Sequence, residues 1–135
     1  MTVVVAYRPD EYGRAAFDRG IAEARLRDSS LIVVNASAGT SYVDKAYASD
    51  EQVAELENAL RDVGVDGEVQ RPVGSDVAGA VLAVAEEVGA SVLVVGIRHR
   101  SPVGKLLLGS TAQQLLLDSE CPVLAVKPSR ADFCG

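Results

Sequence analysis

Gly96-Ile97-Arg98-His99-Arg100-Ser101-Pro102-Val103-Gly104-Lys105-Leu106-Leu107-Leu108-Gly109-Ser110-Thr111 is the stretch on which the reading of this chain turns. It leaves an all-apolar run, Val92 to Val95, crosses a glycine-punctuated basic segment, and ends on Gly-Ser-Thr at the head of an apolar-periodic helix. The first N–H groups of a helix lack intrahelical partners and carry the positive end of its dipole. A strand, a loop rich in glycine and basic side chains, and a helix start bearing hydroxyls together resemble a cradle for phosphate. The plainer alternative stands beside it: Ser110 and Thr111 as an N-cap, the glycines as turn residues, and Arg98, Arg100 and Lys105 as a solvated face.

Outward from this segment, strand-like and helix-like runs alternate. Thr2 to Tyr7 is β-branched and apolar, and Glu11 to Arg27 repeats Ala15, Ala16, Phe17, Ile21 and Ala24 at helical spacing. Leu31 to Ala36 predicts a second strand. Asp50 to Val63 predicts a helix with Val53, Leu56, Leu60 and Val63 on one face, capped by Ser49 or Asp50 and stopped at Gly64. Val65 to Arg71 is a more polar, edge-like strand. Ser75 or Asp76 caps a third helix running to Val88, with Gly89 as its stop. Ser91 to Gly96, Thr111 to Asp118 and Pro122 to Lys127 complete the series as strand, helix and strand. Nine alternating elements imply an α/β fold: an open parallel sheet with helices on both faces. Ligands of such sheets sit beyond the carboxyl ends of the strands, where strand order reverses. The ends to inspect are Ala6 to Asp10, Asn35 to Ala38, and Gly96 to Thr111.

Bulk properties narrow the function. The chain has 135 residues, 48% hydrophobic and 24% charged, with a net charge of −6, which is globular composition for one domain. The acidic balance and scarce aromatics argue against nucleic acid as a partner. No apolar run reaches the ~20 residues that span a bilayer, and the N-terminus enters a strand without a signal-like segment, so a cytoplasmic protein is expected. Cys121 and Cys134 have no metal spacing, and the single histidine, His99, has no ligand partner, so no metal site is expected.

Competing anion schemes fail on particular residues. Leu106 stands where a P-loop needs its Mg²⁺-binding hydroxyl, and the preceding glycine spacing is out of register. No Gly-x-Gly-x-x-Gly follows the first strand, which removes a dinucleotide site. The third strand ends in Gln70-Arg71-Pro72, where a phospho-receiver domain needs aspartate. No nucleophile–base pair is discernible, so no enzymatic activity is expected.

The spacing Gly96, two residues, His99, nine residues, Gly109-Ser110 resembles the universal stress protein family, whose nucleotide-binding members carry Gly, two residues, Gly, nine residues, Gly and then Ser or Thr. The element order, Val-Leu-Val-Val-Gly into the loop, and the closing Cys-Pro-Val-Leu-Ala-Val-Lys are similar as well. The resemblance implies a sheet ordered 3-2-1-4-5, of the adenine nucleotide alpha hydrolase-like type. It implies a domain over 1–128 followed by a tail over 129–135. It also implies a stress-response module holding ATP (with Mg²⁺) or AMP. Its phosphate contacts fall on Gly96, His99, Gly109, Ser110 and Thr111, and its adenosine contacts on Ala6, Arg8 and Ala36. A homodimer through Val123 to Val126 is implied too. The alternative is a nucleotide-independent dimeric interaction module that keeps the loop as scaffold.

Two positions depart from the family pattern. His99 replaces a glycine, adding a Cβ and an imidazole where the backbone should approach phosphate. Arg8 replaces an aspartate; a carboxylate accepts both ribose hydroxyls, whereas a guanidinium only donates. Both departures weaken the expectation of ordinary ATP binding.

Overall fold

The computed structural model describes residues 1–36, 48–73, 76–98 and 109–128. The elements are β1 (Thr2–Ala6), α1 (Glu11–Arg27), β2 (Ser30–Val34), α2 (Asp50–Asp62), β3 (Gly67–Gln70), α3 (Val77–Val88), β4 (Val92–Gly96), α4 (Ser110–Asp118) and β5 (Val123–Val126). All five strands are parallel and lie in the order β3-β2-β1-β4-β5. The chain runs from β1 outward through β2 and β3, then returns to β1's other side with β4 and β5. Strand order therefore reverses between β1 and β4, where Val3 to Ala6 pair with Val92 to Val95.

The central strands are apolar on both faces because both are covered. Val3, Val5, Leu31, Val33 and Val94 pack with Phe17 of α1 and with Leu56 and Leu60 of α2. Val4, Ile32, Val34, Leu93 and Val95 pack on the other face with Val81 and Ala85 of α3 and with Leu115 of α4. β3 and β5 are the edges. β3 is polar and largely exposed, whereas β5 is the apolar, half-buried sequence Val-Leu-Ala-Val.

Local chemistry fixes the helix ends. The Asp10 carboxylate accepts from the Gly13 N–H at 2.9 Å and starts α1. Ser49, rather than Asp50, caps α2: its hydroxyl accepts from the Gln52 N–H, and the Gln52 side chain accepts from the Ser49 N–H. Asp76 caps α3 through the Gly79 N–H at 3.0 Å, and Gly89 ends it. Within α1, the Glu23 carboxylate accepts from Arg19 and Arg27, one turn to either side, at 2.9 and 3.2 Å. Those bonds, Arg27's above all, hold its acidity below the usual carboxylate value.

Candidate functional site

A cleft of about 500 Å³ opens at the carboxyl ends of the strands, across the point where their order reverses. Its apolar lining comes from Val34 and Ala36 of the β2 exit, Val77 and Val81 of α3, and Val95 of β4. Its polar lining comes from Arg8 and Asp10 between β1 and α1, Tyr12 in the first turn of α1, Arg98 beyond β4, and the start of α4 at Gly109, Ser110 and Thr111. Ala6, Arg8, Ala36, Gly96, Gly109, Ser110 and Thr111, singled out on sequence grounds, all line this one cavity. His99, with Arg100, Gly104 and Lys105, lies outside the described residues, as do Ala38 and Cys134.

The start of α4 differs from those of the other three helices. Its N-cap is Gly109, not Ser110 or Thr111, at φ 82° and ψ 152°, a positive-φ conformation that suits glycine, and it makes no side-chain cap bond. Ser110 and Thr111 are therefore the first two residues of the helix. The leading N–H groups of α4 receive no bond from the side chain of their own N-cap residue, and Gly109, Ser110 and Thr111 line the cleft.

Gly96 has a different reason for being glycine. A Cβ there would lie 2.9 Å from the Cα of Tyr12 and collide with its carbonyl group. The end of β4 and the first turn of α1 touch backbone to backbone, so residue 96 must be glycine whether or not phosphate approaches it.

Arg8 does not lie loose in the cleft. Its Nε pairs with Asp10 Oδ2 at 3.3 Å, and its side chain is 65% exposed. Asp10 thus divides its carboxylate between capping α1 and neutralising Arg8. No ion pair forms with Arg98 among the described residues, and that side chain is exposed.

Asn35, which opens the Asn35–Ala38 segment, shapes the site through its side chain, a role that sequence alone did not assign it. Fully buried just after β2, it donates from Nδ2 to the Tyr7 carbonyl at 3.0 Å and accepts at Oδ1 from the Ala48 N–H at 2.6 Å. Arg71, past β3, donates to the Ala48 carbonyl at 3.1 Å and pairs with Asp50 at 2.8 Å. The exits of β1, β2 and β3 and the entry to α2 are thereby tied together behind the cleft. The available signal was an amide side chain closing an unbroken apolar strand. Tyr7 is buried against Phe17 with its ring edge-on at 6.3 Å, and burial raises its phenol pKa.

Among the described residues, no group of three or more His, Cys, Asp or Glu side chains converges to hold a metal ion, and no helix is long and apolar enough to cross a membrane.

Comparison with known proteins agrees with this architecture. A universal stress protein of Mycolicibacterium smegmatis is 52% identical over 126 residues, covering 93% of this chain and 97% of that protein. The universal stress protein of Archaeoglobus fulgidus superimposes with a TM-score of 0.78 at 30% identity, over 94% of this chain and 98% of that one. A universal stress protein solved in complex with cAMP gives a TM-score of 0.71 at 28% identity, over 96% and 98% of the two chains. The model of the universal stress protein family matches residues 1–127, and the chain belongs to that family.

Proposed function

We propose that this protein is a nucleotide-responsive regulatory module of the stress response, with an adenine nucleotide, AMP or ATP with Mg²⁺, held in the cleft between β1 and β4. In this reading the start of α4 receives phosphate, with Gly109, Ser110 and Thr111 supplying N–H and hydroxyl donors. The apolar lining from Val34, Ala36, Val77, Val81 and Val95 takes the base, near the β1 and β2 exits at Ala6, Arg8 and Ala36. The observation that carries it is the joining, in one cavity, of an apolar wall and a helix start without a side-chain cap. Binding rather than catalysis is the role: the only carboxylate among the described lining residues, Asp10, is engaged by Gly13 and Arg8 and is no ready base for water. The cAMP carried by the relative described above is an adenine nucleotide of the kind the cleft would take.

We further read the protein as a homodimer, with the apolar β5 edges of Val123 to Val126 meeting across a two-fold axis. A specific observation favours a second reading, in which the module binds partners without nucleotide: Gly96 is required by packing against Tyr12 alone.

Thermal-shift titration separates the two. Ligand at about 100 times its Kd adds ~2.7 kcal/mol to stability, several degrees in Tm for a domain of this size. The nucleotide reading requires such a shift with AMP or ATP-Mg²⁺ that exceeds the shift with inorganic phosphate. No shift with millimolar nucleotide leaves the second reading standing.

A further inference from the structure

A second cavity, of about 320 Å³, opens between the first turn of α1 and the first turns of α2, and Tyr7 lines both it and the cleft. That volume is at the small end of ligand pockets. Tyr7 is only 7% exposed. Its N–H donates to Val34, its carbonyl accepts from Asn35, and its ring lies edge-on to Phe17. The phenol is thus held firmly, yet its hydroxyl makes no hydrogen bond among the described residues. The charged groups acting on it are Arg14, Asp10, Glu55 and Asp18, and the first three line this cavity. The hydroxyl therefore faces the space between α1 and α2. Burial raises its pKa, so at neutral pH it keeps its proton and can donate.

Two more donors share these walls. Gln52 uses Oε1 to accept from the Ser49 N–H in the α2 capping box. That bond fixes the amide and leaves its Nε2 group without a partner among the described residues. Arg14 is exposed and forms no ion pair among the described residues, although Asp10, Glu11 and Glu55 line the same cavity. Phenol, amide and guanidinium make a donor set suited to a carboxylate. Acceptors are present as well. Asp10 is engaged by Gly13 and Arg8, but Glu11 on α1 and Glu55 on α2 form no ion pair among the described residues. A simple anion would meet Arg14 against two carboxylates. A ligand with an ammonium group beside its carboxylate satisfies both signs.

We infer that the cavity between α1 and α2 binds a small zwitterion, a free α-amino acid, with its carboxylate on Tyr7, Gln52 and Arg14 and its ammonium group toward Glu11 and Glu55. Of these five residues only Tyr7 also lines the cleft, so the site is a separate one. It stands whether or not the cleft takes a nucleotide.

Thermal-shift screening of the full chain against the common L-amino acids at millimolar concentration tests this, with calorimetric titration of the strongest binder. At least one amino acid should raise Tm and titrate to a single site. Its N-acetyl derivative and its α-amide each lack one charge, and each should bind at least about tenfold more weakly, the size of one charge-assisted hydrogen bond. Tyr7→Phe removes only the hydroxyl, and Gln52→Glu keeps an acceptor for the Ser49 N–H while losing the donor. Both should unfold close to the parent and bind about tenfold more weakly or worse. Arg14→Gln should weaken binding to a similar degree. No response to any amino acid would overturn the inference. Blocked derivatives that bind as well as the parent amino acid would overturn it too, as would affinity unchanged in Tyr7→Phe or in Arg14→Gln, which would put the ligand elsewhere.

Discussion

Gly96 of β4 and Tyr12 of α1 are packed backbone to backbone, with the space a side chain would need at residue 96 occupied by the Tyr12 peptide group. The residue that begins the Gly96–Thr111 segment is thus fixed by a helix–strand contact at the rim of the cleft. Gly96→Ala is expected to destabilise the protein by about 1–3 kcal/mol, the usual range for forcing an extra methyl group into a packed site. Equilibrium urea unfolding measures it. A change of under a few tenths of a kcal/mol would mean that α1 yields easily. Loss of ligand binding in this variant would report displaced packing as much as a missing phosphate contact, so Gly109 and Ser110 are the informative positions for ligand work.

Asn35 bridges the Tyr7 carbonyl and the Ala48 N–H from a fully buried position. Asn35→Leu keeps the volume but strands a buried donor and a buried acceptor, at a cost of about 1–3 kcal/mol for each group left unpaired. Asn35→Asp preserves the acceptor toward Ala48 but places a carboxylate against the Tyr7 carbonyl. Both variants should unfold at lower denaturant than the parent. A midpoint unchanged in Asn35→Leu would refute the bridging role.

Asp10 serves α1 and Arg8 at once, and two substitutions separate those roles. Asp10→Ala removes the cap and should cost about 1 kcal/mol. Asp10→Asn keeps an acceptor for the Gly13 N–H and loses only an exposed ion pair, worth ~0–1 kcal/mol. Thermal unfolding in parallel should therefore rank parent and Asp10→Asn close together, with Asp10→Ala lowest. Asp10→Asn falling as far as Asp10→Ala would put the weight on the ion pair, which both variants lose.

Glu23, nearly buried between Arg19 and Arg27, is held below its ordinary pKa of 4.5, chiefly by the Arg27 hydrogen bond. A carboxylate with a depressed folded-state pKa stabilises fully above its unfolded value, and that stabilisation is lost as pH falls through the folded value. The stability gap between parent and Glu23→Gln should therefore be widest near neutrality and close as the pH drops well below 4.5. Denaturant midpoints across that range read the gap directly. A gap independent of pH would assign the effect to packing.

β5 presents alternate backbone groups to its neighbour: the carbonyls of Pro122 and Val126 accept from Leu93 and Ile97. The intervening Val123 and Ala125 turn their peptide groups outward. If two β5 strands meet at a two-fold axis, Ala125→Pro removes an outward donor without breaking a bond to β4. Sedimentation should then show the monomer mass with retained helical circular dichroism. A dimer that survives the substitution would place the contact elsewhere.

Most of the architecture was legible because local chemistry and hydrophobic pattern agreed. Helix α1 runs from Glu11 to Arg27 as its spacing predicts, and the polar β3 lies at an edge as its composition predicts. Order 3-2-1-4-5 came from family resemblance, since periodicity alone does not say which side of β1 the fourth strand joins. Strand ends were drawn longer than the assigned strands, by one residue at Tyr7 and two at Ala36; the Tyr7 and Asn35 N–H groups still bond to Val34 and Gln70 of the neighbouring strands. The alternative that Ser110 and Thr111 cap α4 gives way to Gly109 as the N-cap, whose positive φ leaves both residues inside the helix. The partners of Asn35 and the Gly96–Tyr12 contact were not legible: each depends on residues brought together by the fold from distant parts of the chain.

Since Gly109 brings no side chain to the start of α4, an anion in the cleft would do more than fill a space; it would finish a helix. That helix has nine residues and buries only Ala112 and Leu115, so its first turn draws little protection from the core. Amide hydrogen exchange from Ser110 to Gln113 should slow when the cleft is filled, with little movement elsewhere. From α4 the chain passes through Ser119 to β5, the outermost strand. Occupancy at one rim of the sheet would then be felt at its open edge as a gain in order, without a change of shape.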